Sequence, residues 1–141
     1  MLNKAIEIAA RAHAGQVDKA GEPYILHPLR IMLTRKIELE RICAVLHDVI
    51  EDTDITLDAL RKEGFHEDVI TVLDCLTKRD NEEYDAFIDR ILKNETASRV
   101  KLADLHDNMD LARIQNPTET DMERLKKYKK ASERILGALS V

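Results

Sequence analysis

The chain has 141 residues, enough for one domain whose core needs neither disulfides nor structural zinc. Hydrophobic residues at 44% exclude compositional disorder, and 4% aromatics, no Trp, four Gly and three Pro favour helices over strands. Twenty-two basic against 27 acidic side chains leave a charge of −5, which argues against a general nucleic-acid binder but not against a phosphate-bearing substrate held by a few cations.

Residues 3–14 read as an amphipathic helix with Ala5, Ile8, Ala9 and Ala12 on one stripe. Glu7 and Arg11 interrupt it, so it is no signal peptide, and no stretch approaches the ~18 apolar residues of a membrane span. Residues 15–26 carry two glycines and a proline and read as a loop. A short helix follows from about His27 to Arg35, with Pro28 where helix starts tolerate it. Residues 39–51 predict the next helix. Thr56–Glu63, Glu67–Thr77 and Glu82–Lys93 predict three more, broken at Gly64 and around Asp80-Asn81. Residues 96–114 read as one long helix. Thr120 with Glu123 three residues on is a capping-box signature for a last helix to about Leu139. The expectation is an all-α bundle of seven or eight helices in a single domain, 1–141. Cys43 and Cys75 lack metal-type spacing and read as reduced thiols, which fits the cytoplasm.

The segment Ile42–Thr53, ICAVLHDVIEDT, carries the chemistry. Ile42, Val45, Leu46 and Val49 form an apolar face, and His47, Asp48, Glu51 and Asp52 project from adjacent stripes opposite. Three carboxylates crowd the carbonyl end of a helix, where negative charge is unfavourable. A divalent metal is the obvious compensating charge; the bland reading is a solvated acidic helix end. Imidazole with carboxylate suits Mn²⁺, Fe²⁺, Co²⁺ or Zn²⁺ better than Ca²⁺. Further ligands are needed. His27 closes the loop GEPYILHP, and Asp104 lies in the mostly apolar VKLADL, where an unpaired carboxylate is costly. Taken alone, His27 reads as structural and Asp104 as salt-bridged. His13, His66 and His106 read as structural or surface residues.

Three segments, AARAHAGQVDKAGEPYILHP at 9–28, LHDVIEDT at 46–53 and VKLADLHDNMD at 100–110, resemble in order and spacing the hydrolase domain of the RelA/SpoT family of alarmone enzymes. The likeness extends over nearly the whole chain and is strongest to the small stand-alone, SpoT-like hydrolases with an HD domain. It implies His27, His47, Asp48 and Asp104 as ligands of Mn²⁺, and Glu51 and Asp52 as the catalytic pair that positions and activates water. It implies Asn108 as a substrate contact, and Arg124 and Tyr128, four apart on one face of the last helix, as pocket residues. The implied reaction removes pyrophosphate from the ribose 3′ position of a nucleotide such as ppGpp. Lys19, Lys78 or Arg79 could hold the remaining phosphate charge. No nucleic-acid or membrane partner is implied, and the oligomeric state is left open.

Two positions depart from the pattern. Asp18-Lys19 stands where the long enzymes usually carry Arg-Lys, and Asp107 stands where His or Tyr is expected. Both leave the metal residues intact and put the base in question, so an adenine alarmone of the ppApp type and a more general phosphorylated nucleotide stand as alternatives to ppGpp. The 141 residues leave no segment for a synthetase domain, so no alarmone synthesis is expected. The competing readings are a general HD nucleotide phosphohydrolase and a nucleotide-binding module without turnover.

Overall fold

The computed structural model describes residues 1–110 and 114–140. Among the described residues, nine helical segments run in chain order: α1 (Leu2–Ala12), α2 (Leu26–Thr34), α3 (Glu38–Leu46), α4 (Val49–Asp52), α5 (Leu57–Lys62), α6 (Glu67–Leu76), α7 (Tyr84–Ile91), α8 (Glu95–Asn108) and α9 (Glu119–Leu139). α4 is a single turn, so eight longer helices make the bundle. No strand occurs among the described residues; one isolated bridge, Val17 to Pro23, closes the loop between α1 and α2. None of the described helices is long and apolar enough to cross a membrane.

α3 is the hub, packed against α1, α2, α6 and α8. Ile42, Cys43, Ala44, Val45 and Leu46 are all buried, so the second half of α3 is enclosed on every side and not only along the apolar face its spacing predicts, while Glu38 at its start is exposed. Its one buried charge, Glu40, is met by Arg35 at 3.3 Å and Arg99 at 3.9 Å. α1 does bury the expected stripe, with Ala5 and Ala9 fully covered. Leu73 of α6 has no exposed surface and lies in the same core as α3. Leu73→Ala should therefore cost about 2–5 kcal/mol of stability, read as a lower denaturant midpoint.

Three expected boundaries shift. The helix expected over 39–51 breaks at His47 and Asp48, which are turn residues between α3 and α4. The helix expected to run to 114 ends at Asn108, and residues 111–113 of that span lie outside the described residues. The capping box of α9 forms two residues earlier than expected. Thr118 Oγ accepts from Asp121 N at 3.2 Å, and Asp121 Oδ2 accepts from Thr118 N at 2.9 Å. Asp121 also meets Lys19 at 2.7 Å, a contact the Thr120-Glu123 register does not offer.

The 15–25 loop is held by its own acid. Asp18 Oδ1 accepts from Ala20 N at 2.8 Å and Glu22 N at 3.0 Å, and Gly21, at φ +81°, makes the turn that a side chain would resist. This loop delivers Tyr24 and His27 to the centre of the bundle.

Candidate metal centre

His27, His47, Asp48 and Asp104 come from α2, the α3–α4 break and α8, and their ligand atoms all lie within 4.8 Å of one another. His27 Nε2 is 2.9 Å from Asp104 Oδ1 and 3.7 Å from Asp48 Oδ2. His47 Nε2 is 2.9 Å from Asp48 Oδ2 and 3.2 Å from Asp104 Oδ1. The helix break makes this possible. Adjacent residues in a continuous helix point about 100° apart, at 3.6 residues per turn, whereas the turn aims His47 and Asp48 at one point.

The hydrogen positions follow from the acceptors. His47 Nδ1 lies 2.7 Å from the Ala44 carbonyl, and His27 Nδ1 lies 2.6 Å from Asp107 Oδ2. Both Nδ1 atoms carry the hydrogen, so the proton each ring can give up is the one on Nε2, and its loss leaves a lone pair facing the carboxylates. Burial pulls both imidazole pKa values down, but hydrogen bonds and charge from the aspartates outweigh it and leave both raised. Burial likewise opposes ionisation of Asp48 and Asp104. Their cationic neighbours, His47 for Asp48 and Lys101 with His47 for Asp104, win and hold both carboxyls low. A negative potential that raises two imidazoles attracts a divalent cation by the same physics. The donor set of two imidazole nitrogens and two carboxylate oxygens suits a divalent transition metal.

The cluster has supports that no motif in the sequence marks. Lys101, largely buried, pairs with Asp104 Oδ2 at 3.0 Å. Tyr24 donates its hydroxyl to Asp48, and burial beside that carboxylate keeps the phenol protonated. Arg30 grips Asp107 through two bonds of 2.8 and 3.0 Å. A Lys, Tyr or Arg in a helix or loop has no spacing that signals such a role.

His47, Asp48 and Glu51 border a cavity of about 260 Å³, together with Lys78, Lys101 and Lys127. Glu51 Oε1 accepts from Lys78 N at 2.5 Å, and burial leaves its pKa raised despite that bond. Asp52 faces toward Tyr24 and His13, and burial with the Asp48 charge raises its pKa too. Asn108 donates to Asp104 Oδ1 at 3.1 Å and borders three adjoining cavities. The smallest, about 80 Å³, brings Lys19, Arg124 and Tyr128 together with Asn108. Seven of the ten sequence-predicted residues, His47, Asp48, Glu51, Lys19, Asn108, Arg124 and Tyr128, border these adjoining cavities, whereas His27 and Asp104 join through the four-residue cluster and Asp52 lies on none of the three walls. Arg79 is not brought there: its guanidinium pairs with Asp74 at 3.0 Å and bonds the Asp74 and Thr77 carbonyls. His13 is buried against Tyr24, while His66 caps α6 and His106 is exposed.

A helical bundle with a His-Asp pair at its centre, completed by a second His and a second Asp from other helices, defines the class of HD-type hydrolase domains. No protein-family model matches the chain. It is similar to the guanosine-3′,5′-bis(diphosphate) 3′-pyrophosphohydrolase of Vibrio cholerae, at 37% identity over 77% of this chain and 17% of that protein. It is also similar to a GTP pyrophosphokinase of Streptomyces coelicolor, at 30% identity over 95% of this chain and 16% of that protein. Its fold matches a metazoan ortholog of SpoT that hydrolyses ppGpp and plays a role in starvation responses. That match has a TM-score of 0.78 and 26% identity, over 98% of this chain and 84% of the other. The chain is thus similar to SpoT-type proteins in sequence and to the metazoan SpoT ortholog in fold. It spans under a fifth of the length of the curated relatives it matches.

Proposed function

We propose that the chain, acting as one domain over residues 1–141, hydrolyses the 3′-pyrophosphate of a purine alarmone, (p)ppGpp or (p)ppApp, in a Mn²⁺-dependent reaction. The products are the parent nucleotide and pyrophosphate. The observation that carries this reading is the four-residue cluster beside a cavity lined by three lysines. A metal group and a polyanion pocket share one wall there. The names of the relatives and of the structural neighbour point the same way.

His27, His47, Asp48 and Asp104 would hold the metal, which supplies a water of lowered pKa and polarises a phosphoryl oxygen. Glu51, on the cavity wall with its pKa raised, takes the proton of the attacking water, and Asp52 orients that water. The bond between phosphorus and the ribose 3′ oxygen breaks, and that oxygen leaves with a proton. Lys78, Lys101 and Lys127 offset the charge of the departing pyrophosphate. Lys19, Asn108, Arg124 and Tyr128 contact the nucleotide from the adjoining cavities. Asp18 stays bonded to its own loop, so the Arg contact expected there in the long enzymes is missing and either purine remains acceptable. Two thiols outside any disulfide fit a cytoplasmic setting.

The test is pyrophosphate release from ppGpp and ppApp side by side, with Mn²⁺ and with EDTA. Release from either, lost with EDTA, is expected, and the ratio names the base. No release from either moves the reading to a general HD nucleotide phosphohydrolase or a binding module.

A further inference from the structure

α8 presents two working faces. Lys101 and Asn108 look toward the 260 Å³ cavity, whereas Ala103, His106, Asp107 and Asp110 border a separate groove of about 530 Å³ between α2 and α8. Asp107 reaches back from that outer groove to His27. It lies outside the group of four whose ligand atoms converge, so it is not a candidate ligand. Its carboxylate does two things at once. Oδ2 accepts from His27 Nδ1 at 2.6 Å, and both oxygens accept from Arg30, Nε at 2.8 Å and Nη2 at 3.0 Å. Arg30 and His27 are three apart on α2, so one helix face supplies both partners of one carboxylate on α8.

We propose that Asp107 and Arg30 are positioning residues for the metal site: Arg30 fixes the Asp107 carboxylate, and Asp107 fixes the tautomer and ring orientation of His27. This rests on the metal reading of the cluster given above. The physical case is local. A free imidazole populates two tautomers and rotates about its side-chain bonds. A carboxylate at Nδ1 selects the form whose Nε2 lone pair faces Asp104, and its charge makes that lone pair a stronger donor. A carboxylate held by one neutral partner would itself swing; the two-pronged guanidinium removes that freedom. His47 needs no such relay, because its Nδ1–H is tied to the Ala44 carbonyl of its own α3. His27 sits at the start of α2, behind a loop, and its outer nitrogen meets the Asp107 carboxylate in place of a backbone carbonyl. The departure of residue 107 from the family pattern gains a purpose: an Asp accepts from Nδ1–H, which the His or Tyr expected there does less well.

The experiment is a Mn²⁺ titration followed by electron paramagnetic resonance, independent of turnover, on the full chain. Asp107→Ala should weaken Mn²⁺ affinity by roughly 10–100-fold, the usual effect of removing a partner behind a metal-binding histidine. Arg30→Ala should weaken it less, and should add nothing in the Asp107→Ala background. Circular dichroism checks that the helices persist. Asp107→Leu, close in size and with no acceptor for Nδ1–H, serves if the alanine variant fails to fold. Wild-type Mn²⁺ affinity in the folded Asp107 variants, or independent additive losses with Arg30→Ala, overturns the relay alone. A wild-type chain that binds no Mn²⁺ overturns the metal reading and the relay together.

Discussion

Replacing His47 or Asp48 by alanine is expected to abolish metal binding and turnover together, both falling below detection. The two residues occupy the turn between α3 and α4, and each faces ligand atoms from another helix. Removing His47 takes away the Nε2 that lies 2.9 Å from Asp48 and 3.2 Å from Asp104. Removing Asp48 leaves two imidazoles with a single carboxylate and leaves the Tyr24 hydroxyl without its acceptor. Either change also disturbs buried charge, so thermal unfolding must be followed beside the Mn²⁺ titration and pyrophosphate release. A folded variant that keeps both metal and turnover would remove these residues from the site. One that keeps metal but loses turnover would make them catalytic without being ligands.

Glu51→Gln should do the opposite: metal affinity within two- to three-fold of wild type, kcat down about 10²–10⁴-fold, the usual effect of losing a general base. Glu51 lies outside the four converging residues and on the wall of the lysine-lined cavity. Glutamine keeps an oxygen to accept the Lys78 N–H, so the wall stays in place while the proton acceptor goes. The pH profile adds a second readout. A base acts when ionised, and burial has raised the Glu51 pKa. Wild-type turnover should therefore fall as pH drops through that raised value, and the residual rate of the variant should lack this limb. An unchanged kcat would refute the role of Glu51 and pass it to Asp52, whose carboxyl is raised by the same burial.

Much of the fold is legible in the amino-acid sequence. Helix existence follows from apolar spacing because each helix must bury one stripe, and the α1 stripe of Ala5 and Ala9 lies where that spacing puts it. The break at His47 and Asp48 is hidden. Ile42, Val45, Leu46 and Val49 keep helical spacing across it, and periodicity does not register a turn that lets the next residues continue in phase. The α9 cap shows a different limit. Thr118 with Asp121 and Thr120 with Glu123 are both plausible pairs locally, and the choice falls to the first because Asp121 also meets Lys19, 102 residues away in sequence. The four metal-cluster residues can be named because three separate motifs each contribute one or two. Lys101, Tyr24, Arg30 and Asp107 cannot be named as supports, since a counter-charge or a hydrogen-bond partner is defined by what stands opposite it.

The placement of Lys101 has a consequence for how the protein handles its ion. Its ammonium lies in the interior beside Asp104, and the four converging side chains hang from helices that the apolar core already locks. Ligand geometry is thus a property of the folded chain and not a gift of the metal. Loading becomes an exchange reaction at a finished receptacle, unlike a small zinc module whose fold forms only around its ion. Chelator should strip the ion while the helices and the cooperative melt survive, and added metal should return full turnover within the time of mixing. Such a domain could be stored empty and switched on by the divalent-ion supply of its surroundings.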